Sequence, residues 1–232
     1  MLQLTNPLTD AERKQVVRLI DHDMGNSLNI VNQYIHHIVE YGKKELSPIA
    51  QGKVKATFFI GLAIHDLVLK DKLDVWKCYY NIELEDILNS IDCQRVKFNF
   101  NYNPKELVTP EKVLLATMWS IIKNAHNASE TAENVLVTSR YYEGFPKQAL
   151  YIPDGAREFK DFVAFEVHNQ GEFPKAKPLR EYIDKEAPAL NQEGFGLYFV
   201  KLASKVLRAP VNIKSEDGRT CVSFYHPIYP EK

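Results

Sequence analysis

Cysteine is scarce in this sequence. Cys78, Cys93 and Cys221 form an odd, widely spaced set in 232 residues, without the close pairs of a zinc site or a secreted disulfide framework, and they read as reduced thiols. Long apolar runs are missing too: no segment reaches the about 18 residues needed to span a bilayer, and Met1–Pro7 lacks the basic-then-apolar pattern of a secretory leader. A soluble, cytoplasmic chain is the expectation. There is no excess charge of one sign, with 29 Lys+Arg against 30 Asp+Glu, so the net balance recommends neither nucleic acid nor an anionic membrane as the main partner. What is present is 45% hydrophobic residues, ample for a packed core in one large domain or two modest ones.

The first 73 residues predict a helical hairpin. Thr9-Asp10-Ala11-Glu12 is a capping box, in which Thr9 covers free amides of the first turn and Glu12 reaches back to it. From there Val16, Leu19, Ile20, Leu28, Val31, Ile35 and Ile38 recur mostly at three- and four-residue steps, predicting an amphipathic helix to about Tyr41. His22 and Asn26 stand four apart and share a face of it. Gly42 ends this helix, and Ser47-Pro48 starts a second whose apolar series is Ile49, Val54, Phe58, Leu62, His65, Val68 and Leu69. Two such helices cannot cover both greasy faces, so pairing into a dimeric four-helix bundle is the physical expectation.

Residues 74–232 read as a second unit. Asp74–Tyr80 predicts a strand and Asn81 caps a helix through Ile91. Val96, Phe98, Phe100 and Tyr102 alternate with polar residues, as in a sheet with one buried face, and Thr109-Pro110 starts a long helix ending near Ala128. Strands at Asn134–Tyr141 and Asp161–His168, a helix from about Gly196 to Leu207, and strands near Val211–Lys214 and Thr220–Tyr225 complete an α/β two-layer sandwich. The fold class is α+β, a helical hairpin followed by this sandwich.

Three short motifs carry chemistry in a fixed order. Asp21-His22-Asp23-Met24-Gly25-Asn26 puts an imidazole on the first helix with an acid beside it. A neutral ring nitrogen can attack phosphorus when the other nitrogen is held or deprotonated by a neighbour, and Asp23 is placed to do so. Trp119–Ala128, containing Lys123-Asn124-Ala125, offers amide oxygens near the end of a helix, a ligand type suited to a hard cation that keeps several waters. His168-Asn169-Gln170-Gly171 follows a strand. Gln192-Glu193-Gly194-Phe195-Gly196-Leu197-Tyr198-Phe199-Val200 opens a helix with glycines that let backbone amides approach phosphate. The other histidines carry less: His36 and His37 are adjacent, His65 lies among core positions, and His126, His168 and His226 are too scattered for a metal cluster. Taken singly, a helical His between two acids is more often a solvated surface residue, and an Asn near a helix end an exposed amide.

Together, these motifs resemble the catalytic core of a sensor histidine kinase over nearly the whole chain, with the sandwich similar to GHKL-type ATPases. The resemblance implies ATP with Mg²⁺ as cofactors. Asn124 would ligate the metal, and Asn127, Asn169, Gly171, Gly194, Gly196, Leu197 and Thr220 would surround the nucleotide. His22 would accept the phosphate with Asp23 as general base, and Asn26 would position water for dephosphorylation of a partner. The partners implied are a second copy of the chain and the receiver domain of a response regulator. The charged stretch Lys175–Leu190, with Pro178 and Pro188, fits a lid over the phosphates, where Lys175, Lys177 and Arg180 are candidate contacts. The chain departs from the family pattern at Asn169, where Asp is usual, at Phe173 in place of a second glycine, and at Gln192 in place of the first glycine of the last box. Those departures favour a rival, a histidine phosphotransferase whose second domain no longer binds ATP, while the retained Asn124, Gly171, Gly194 and Gly196 oppose it. A non-catalytic dimeric adaptor is a third reading.

Overall fold

The computed structural model describes residues 3–19, 60–78, 95–101, 107–129, 135–171 and 195–229. His22, Asp23, Asn26 and Gly194 lie outside these residues, as do the hairpin turn, the 81–91 helix and the 175–190 stretch. The described elements run β1 (Gln3–Thr5), α1 (Asp10–Leu19), α2 (residues 60–69), β2 (Lys72–Asp74), β3 (Trp76–Cys78), β4 (Val96–Phe100), β5 (Leu107–Thr109), α3 (Glu111–Ala128), β6 (Val135–Glu143), β7 (Asp161–Gln170), α4 (Phe195–Leu207), β8 (Val211–Glu216) and β9 (Arg219–Pro227).

The main sheet has the order β4-β6-β7-β9-β8, parallel only between β4 and β6. Alternation along the strands divides its residues between two faces. Val163, Phe165 and Val167 of β7 and Val222 and Phe224 of β9 pack into one cluster with Val113, Leu114, Met118, Ile121 and Ile122 of α3 and Phe199, Ala203 and Val206 of α4. Each fully buried side chain of this size contributes about 1.5–3 kcal/mol, which makes this interface the main source of stability. On the opposite face, Phe162, Ala164 and Tyr225 are covered by Phe145 and Phe159 from the segment between β6 and β7. The rest of that face, around Glu166 and His168, stays polar and partly open.

The two strands predicted as one run, Asp74–Tyr80, are separate. β2 pairs with β1 and β3 pairs with β5, both antiparallel. Val75 between them is buried with Leu4 and Tyr229, so the chain changes partner at a side chain that must turn inward. β1 and β5 are three-residue strands, too short to show a period-two pattern, and the sequence gives no sign of them.

The described ends of the hairpin join the same core. Val16 of α1 and Ala63, Ile64 and Leu67 of α2 belong to the cluster that holds α3 and α4. The buried face of α2 thus differs from the expected one: His65 and Leu69 are exposed, Leu69 at 67%. The expected series mixed two faces, because His65 and Leu69 lie four apart on one side and Ala63, Ile64 and Leu67 on another. The capping box is present as predicted, with Glu12 N donating to Thr9 Oγ1 at 3.2 Å and Thr9 N to Glu12 Oε2 at 2.8 Å. Asn6 closes the other end: its Nδ2 donates to Leu67 O at 2.9 Å and Lys70 O at 2.8 Å, satisfying carbonyls at the C-terminal end of α2.

Candidate functional site

The sequence motifs that lie within the described residues converge at one pole of the sandwich, where α3 ends, β7 ends, α4 begins its described course and the β8–β9 hairpin turns. α3 starts after Pro110, whose missing N–H costs nothing at a helix start, and runs eighteen residues to Ala128. Its inner face anchors it on the sheet, so Asn124 and Asn127 near its end are exposed. Gly196, in the first described turn of α4, lies against the Asn124 carboxamide: a Cβ there would come within 2.3 Å of Nδ2 and 2.8 Å of Oδ1. The absent side chain lets the two helices meet at the amide. Leu197, next along, is half-buried against the core.

Gly171 ends β7 with φ of +117°, a region that disfavours other residues, and a Cβ would lie 2.7 Å from the carbonyl oxygen of Ala128. Its N–H donates to Gly218 O at 2.8 Å and its carbonyl accepts from Thr220 Oγ1 at 2.7 Å. Gly218 belongs to a two-residue hairpin turn, Asp217 and Gly218, both with positive φ (51° and 73°), the arrangement that matches the twist of a tight antiparallel pair. Asn169 and Thr220 are register partners on β7 and β9, both buried and on the helix side of the sheet. The Asn169 Nδ2 donates to Gln170 O at 2.8 Å.

Asn124, Asn127, Asn169, Gly171, Gly196, Leu197 and Thr220 therefore lie on the elements that meet at this pole. Two participants were missed by sequence reasoning. The Ala128 carbonyl, against Gly171, has no side-chain signature. Ser215, whose Oγ lies 3.1 Å from Thr220 Oγ1, was legible in principle, because a two-residue turn at 217–218 places residue 215 opposite 220.

The donors here are neutral. Among the described residues no cluster of three or more His, Cys, Asp or Glu could hold a metal ion. An exposed amide oxygen such as that of Asn124, with backbone amides of a helix start beside it, fits a hydrated Mg²⁺ carried in on phosphates.

On the other face of the sheet, the polar half of the open side holds a group of charges. Arg140 donates to Glu166 Oε1 through Nε at 3.1 Å and a terminal nitrogen at 2.8 Å. His168 Nε2 lies 3.9 Å from Glu166 Oε2 and 3.9 Å from Cys221 Sγ. His168 is pushed up to about 10, first by its hydrogen bond to the Cys221 sulfur and next by Glu166. Glu166 is held down at about 2 by His168 and, against burial, by Arg140. His226 differs: fully buried, with Nε2 2.8 Å from Thr109 Oγ1, it is pushed down to about 3 by desolvation.

No protein-family model matches the sequence, and no curated protein matches it. Solved structures match the fold. Acinetobacter baumannii histidine kinase AdeS aligns with a TM-score of 0.50 at 10% identity, over 90% of this chain and 98% of that one. Full-length ShkA in complex with AMPPNP aligns with a TM-score of 0.51 at 15% identity, over 87% of this chain and 39% of ShkA. No helix among the described residues is long and apolar enough to cross a membrane. Over most of its length, the chain has the fold of histidine kinase domains.

Proposed function

We propose that this chain is an ATP-dependent histidine protein kinase of a two-component system. On this reading residues 1–73 form the dimerising phosphotransfer hairpin and residues 74–232 the GHKL-type nucleotide domain. The observation that supports it is the meeting of Asn124, Gly171, Gly196 and Thr220 at one pole, where residues spread over about a hundred positions, each a type that the resemblance assigns to the nucleotide, come together. Exposed apolar side chains on the described ends of the hairpin, Val17 at 42% and Leu69 at 67%, agree with a second copy packing there.

ATP with Mg²⁺ supplies the transferable phosphoryl group and neutralises its charge. The chain's own residues do the rest. Asn124 would contribute an amide ligand to the metal, and Gly194 and Gly196 would let backbone amides approach the phosphates. Gly171 lets the chain pass close to the end of α3, Asn169 would meet the base, and Thr220 would lie near the nucleotide. Asn127 and Leu197 would flank the nucleotide. A ring nitrogen of His22 would accept the γ-phosphoryl group as its bond to the departing ADP breaks, Asp23 would take the imidazole proton, and the phosphate would then pass to an aspartate on a response regulator. Asn26 orients water when that regulator is dephosphorylated. Since phosphoryl transfer needs little covalent help, positioning and charge neutralisation account for most of the rate.

One observation favours a second reading. Asn169 offers an adenine amino group only the neutral Oδ1, its Nδ2 donating to the Gln170 carbonyl, and without charge it holds that amino group more weakly than a carboxylate would. A histidine phosphotransferase that no longer binds ATP follows if that contact is lost. Calorimetry with Mg²⁺–ATP separates the two: binding that weakens at least tenfold in Asn124→Ala supports the kinase, and no binding by the intact chain sinks it.

A further inference from the structure

On the open face of the sheet, directly behind Asn169 and Thr220, the preceding and following residues of the same two strands form another pair. His168 and Cys221 are register partners, and alternation puts them on the side away from the helices. Cys221 is a partly exposed free thiol. Its sulfur lies 3.9 Å from His168 Nε2 and 3.7 Å from Ser223 Oγ. The same Nε2 also lies 3.9 Å from Glu166 Oε2, and Glu166 accepts two hydrogen bonds from Arg140. A thiol and a carboxylate thus flank one imidazole nitrogen, with a guanidinium on the carboxylate, on a face whose His168 side chain is 43% exposed.

We propose that Cys221 is a covalent modification site that undergoes thiol–disulfide exchange with low-molecular-weight disulfides, with His168 as its proton partner. One proton is shared between Sγ and Nε2. When it sits on Nε2 the sulfur is the thiolate, the form that attacks a disulfide. Glu166 favours that arrangement, because its carboxylate stabilises the imidazolium. Cys221 Sγ attacks one sulfur of RS–SR, a bond forms between them, and the RS–SR bond breaks. The departing RS⁻ takes the proton from Nε2, which leaves RSH and a neutral imidazole. One disulfide is consumed and one is formed, so no outside oxidant is required. The charge held by His168 across neutral pH agrees with this geometry.

The site does not depend on nucleotide chemistry, and its test is independent of it. The full chain is incubated with oxidised glutathione at neutral pH, quenched at intervals, and mapped by peptide mass spectrometry, which reads Cys78, Cys93 and Cys221 separately. Cys221 is expected to acquire the mixed disulfide about tenfold faster than an unactivated thiol, because His168 beside it can take the proton as the sulfur attacks. His168→Gln should return the rate to the unactivated value. Lys214→Gln removes the exposed cation paired in register with Cys221 on β8 and should leave the rate within about twofold. Circular dichroism confirms that both variants fold. Cys221 reacting no faster than an unactivated thiol, or losing as much rate in Lys214→Gln as in His168→Gln, would overturn the proposal.

Discussion

The carboxamide of Asn124 rests against the backbone of Gly196, so that a Cβ at position 196 would sit 2.3 Å from Nδ2. That atom is the far end of an exposed side chain and can swing away, whereas the helix around residue 196 gains from alanine. Gly196→Ala should therefore leave thermal stability unchanged or raise it by up to about 1 kcal/mol, while displacing the amide and weakening Mg²⁺–ATP binding about tenfold. Calorimetry beside a melting curve checks both; equal loss of stability and of binding would mean that the glycine serves packing alone.

Gly171→Ala should behave in the opposite way. Here the obstruction is the backbone carbonyl of Ala128, 2.7 Å from the added carbon, and φ is +117°. Neither can give without moving α3 or β7. A loss of at least about 2 kcal/mol in urea denaturation is expected, and a loss below about 0.5 kcal/mol would contradict the close approach.

Acid should destabilise the fold in two windows. His226 has its folded value depressed from 6.5 to about 3, so its neutral form contributes stability that is complete above 6.5 and is lost as pH falls toward 3. The slope from this group is at most about 1.4 kcal/mol per pH unit. Glu166, depressed from 4.5 to about 2, adds a second loss that starts only below 4.5. Chemical denaturation between pH 7 and 5 isolates the first window: His226→Gln, though less stable, should show a flatter pH dependence there, and an unchanged slope would assign the loss elsewhere.

His168 should titrate in the other direction. Its value is raised from 6.5 to about 10 by Cys221 and then Glu166, so the contribution of its charged form is complete below 6.5 and is lost as pH rises toward 10. Ring NMR signals should still report the imidazolium at pH 8, and Glu166→Gln should bring the midpoint down. A midpoint near 6.5 in the intact chain would remove the group of charges from the open face.

The base of α1 is fixed by two contacts on one carboxylate. Glu12 accepts from Thr9 and receives Lys205 Nζ from α4 at 2.9 Å and 3.0 Å. Burial raises its titration, but these hydrogen bonds outweigh it and the net shift is downward. Thr9→Ala should cost about 1 kcal/mol, and Glu12→Ala more, since it also leaves Lys205 unpaired; equal losses would show that the contact to α4 contributes nothing.

Much of this was legible in the sequence for physical reasons. Long elements with one buried face, α3, β7 and α4, show their periods, and the Thr9–Glu12 box and the Asp217-Gly218 turn have chemistry specific to their geometry. β1, β5 and the break at Val75 were not legible, because three-residue strands carry no period. The face of α2 was misassigned because its apolar positions encircle the helix and only packing into the shared core chooses among them. The motif residues of the pole could be named from sequence, yet their convergence could not, since it depends on a helix end, a strand end and a hairpin turn meeting in space. The pairing of His168 with Cys221, fifty-three positions apart, likewise exists only through strand register.

The central claim is that phosphate from ATP reaches His22. Purified chain incubated with Mg²⁺ and γ-labelled ATP, beside His22→Ala, tests it most directly. The account predicts acid-labile, base-stable label on the intact chain and none on the variant. Label that persists in His22→Ala, or an intact chain that binds ATP but never becomes labelled, would contradict it.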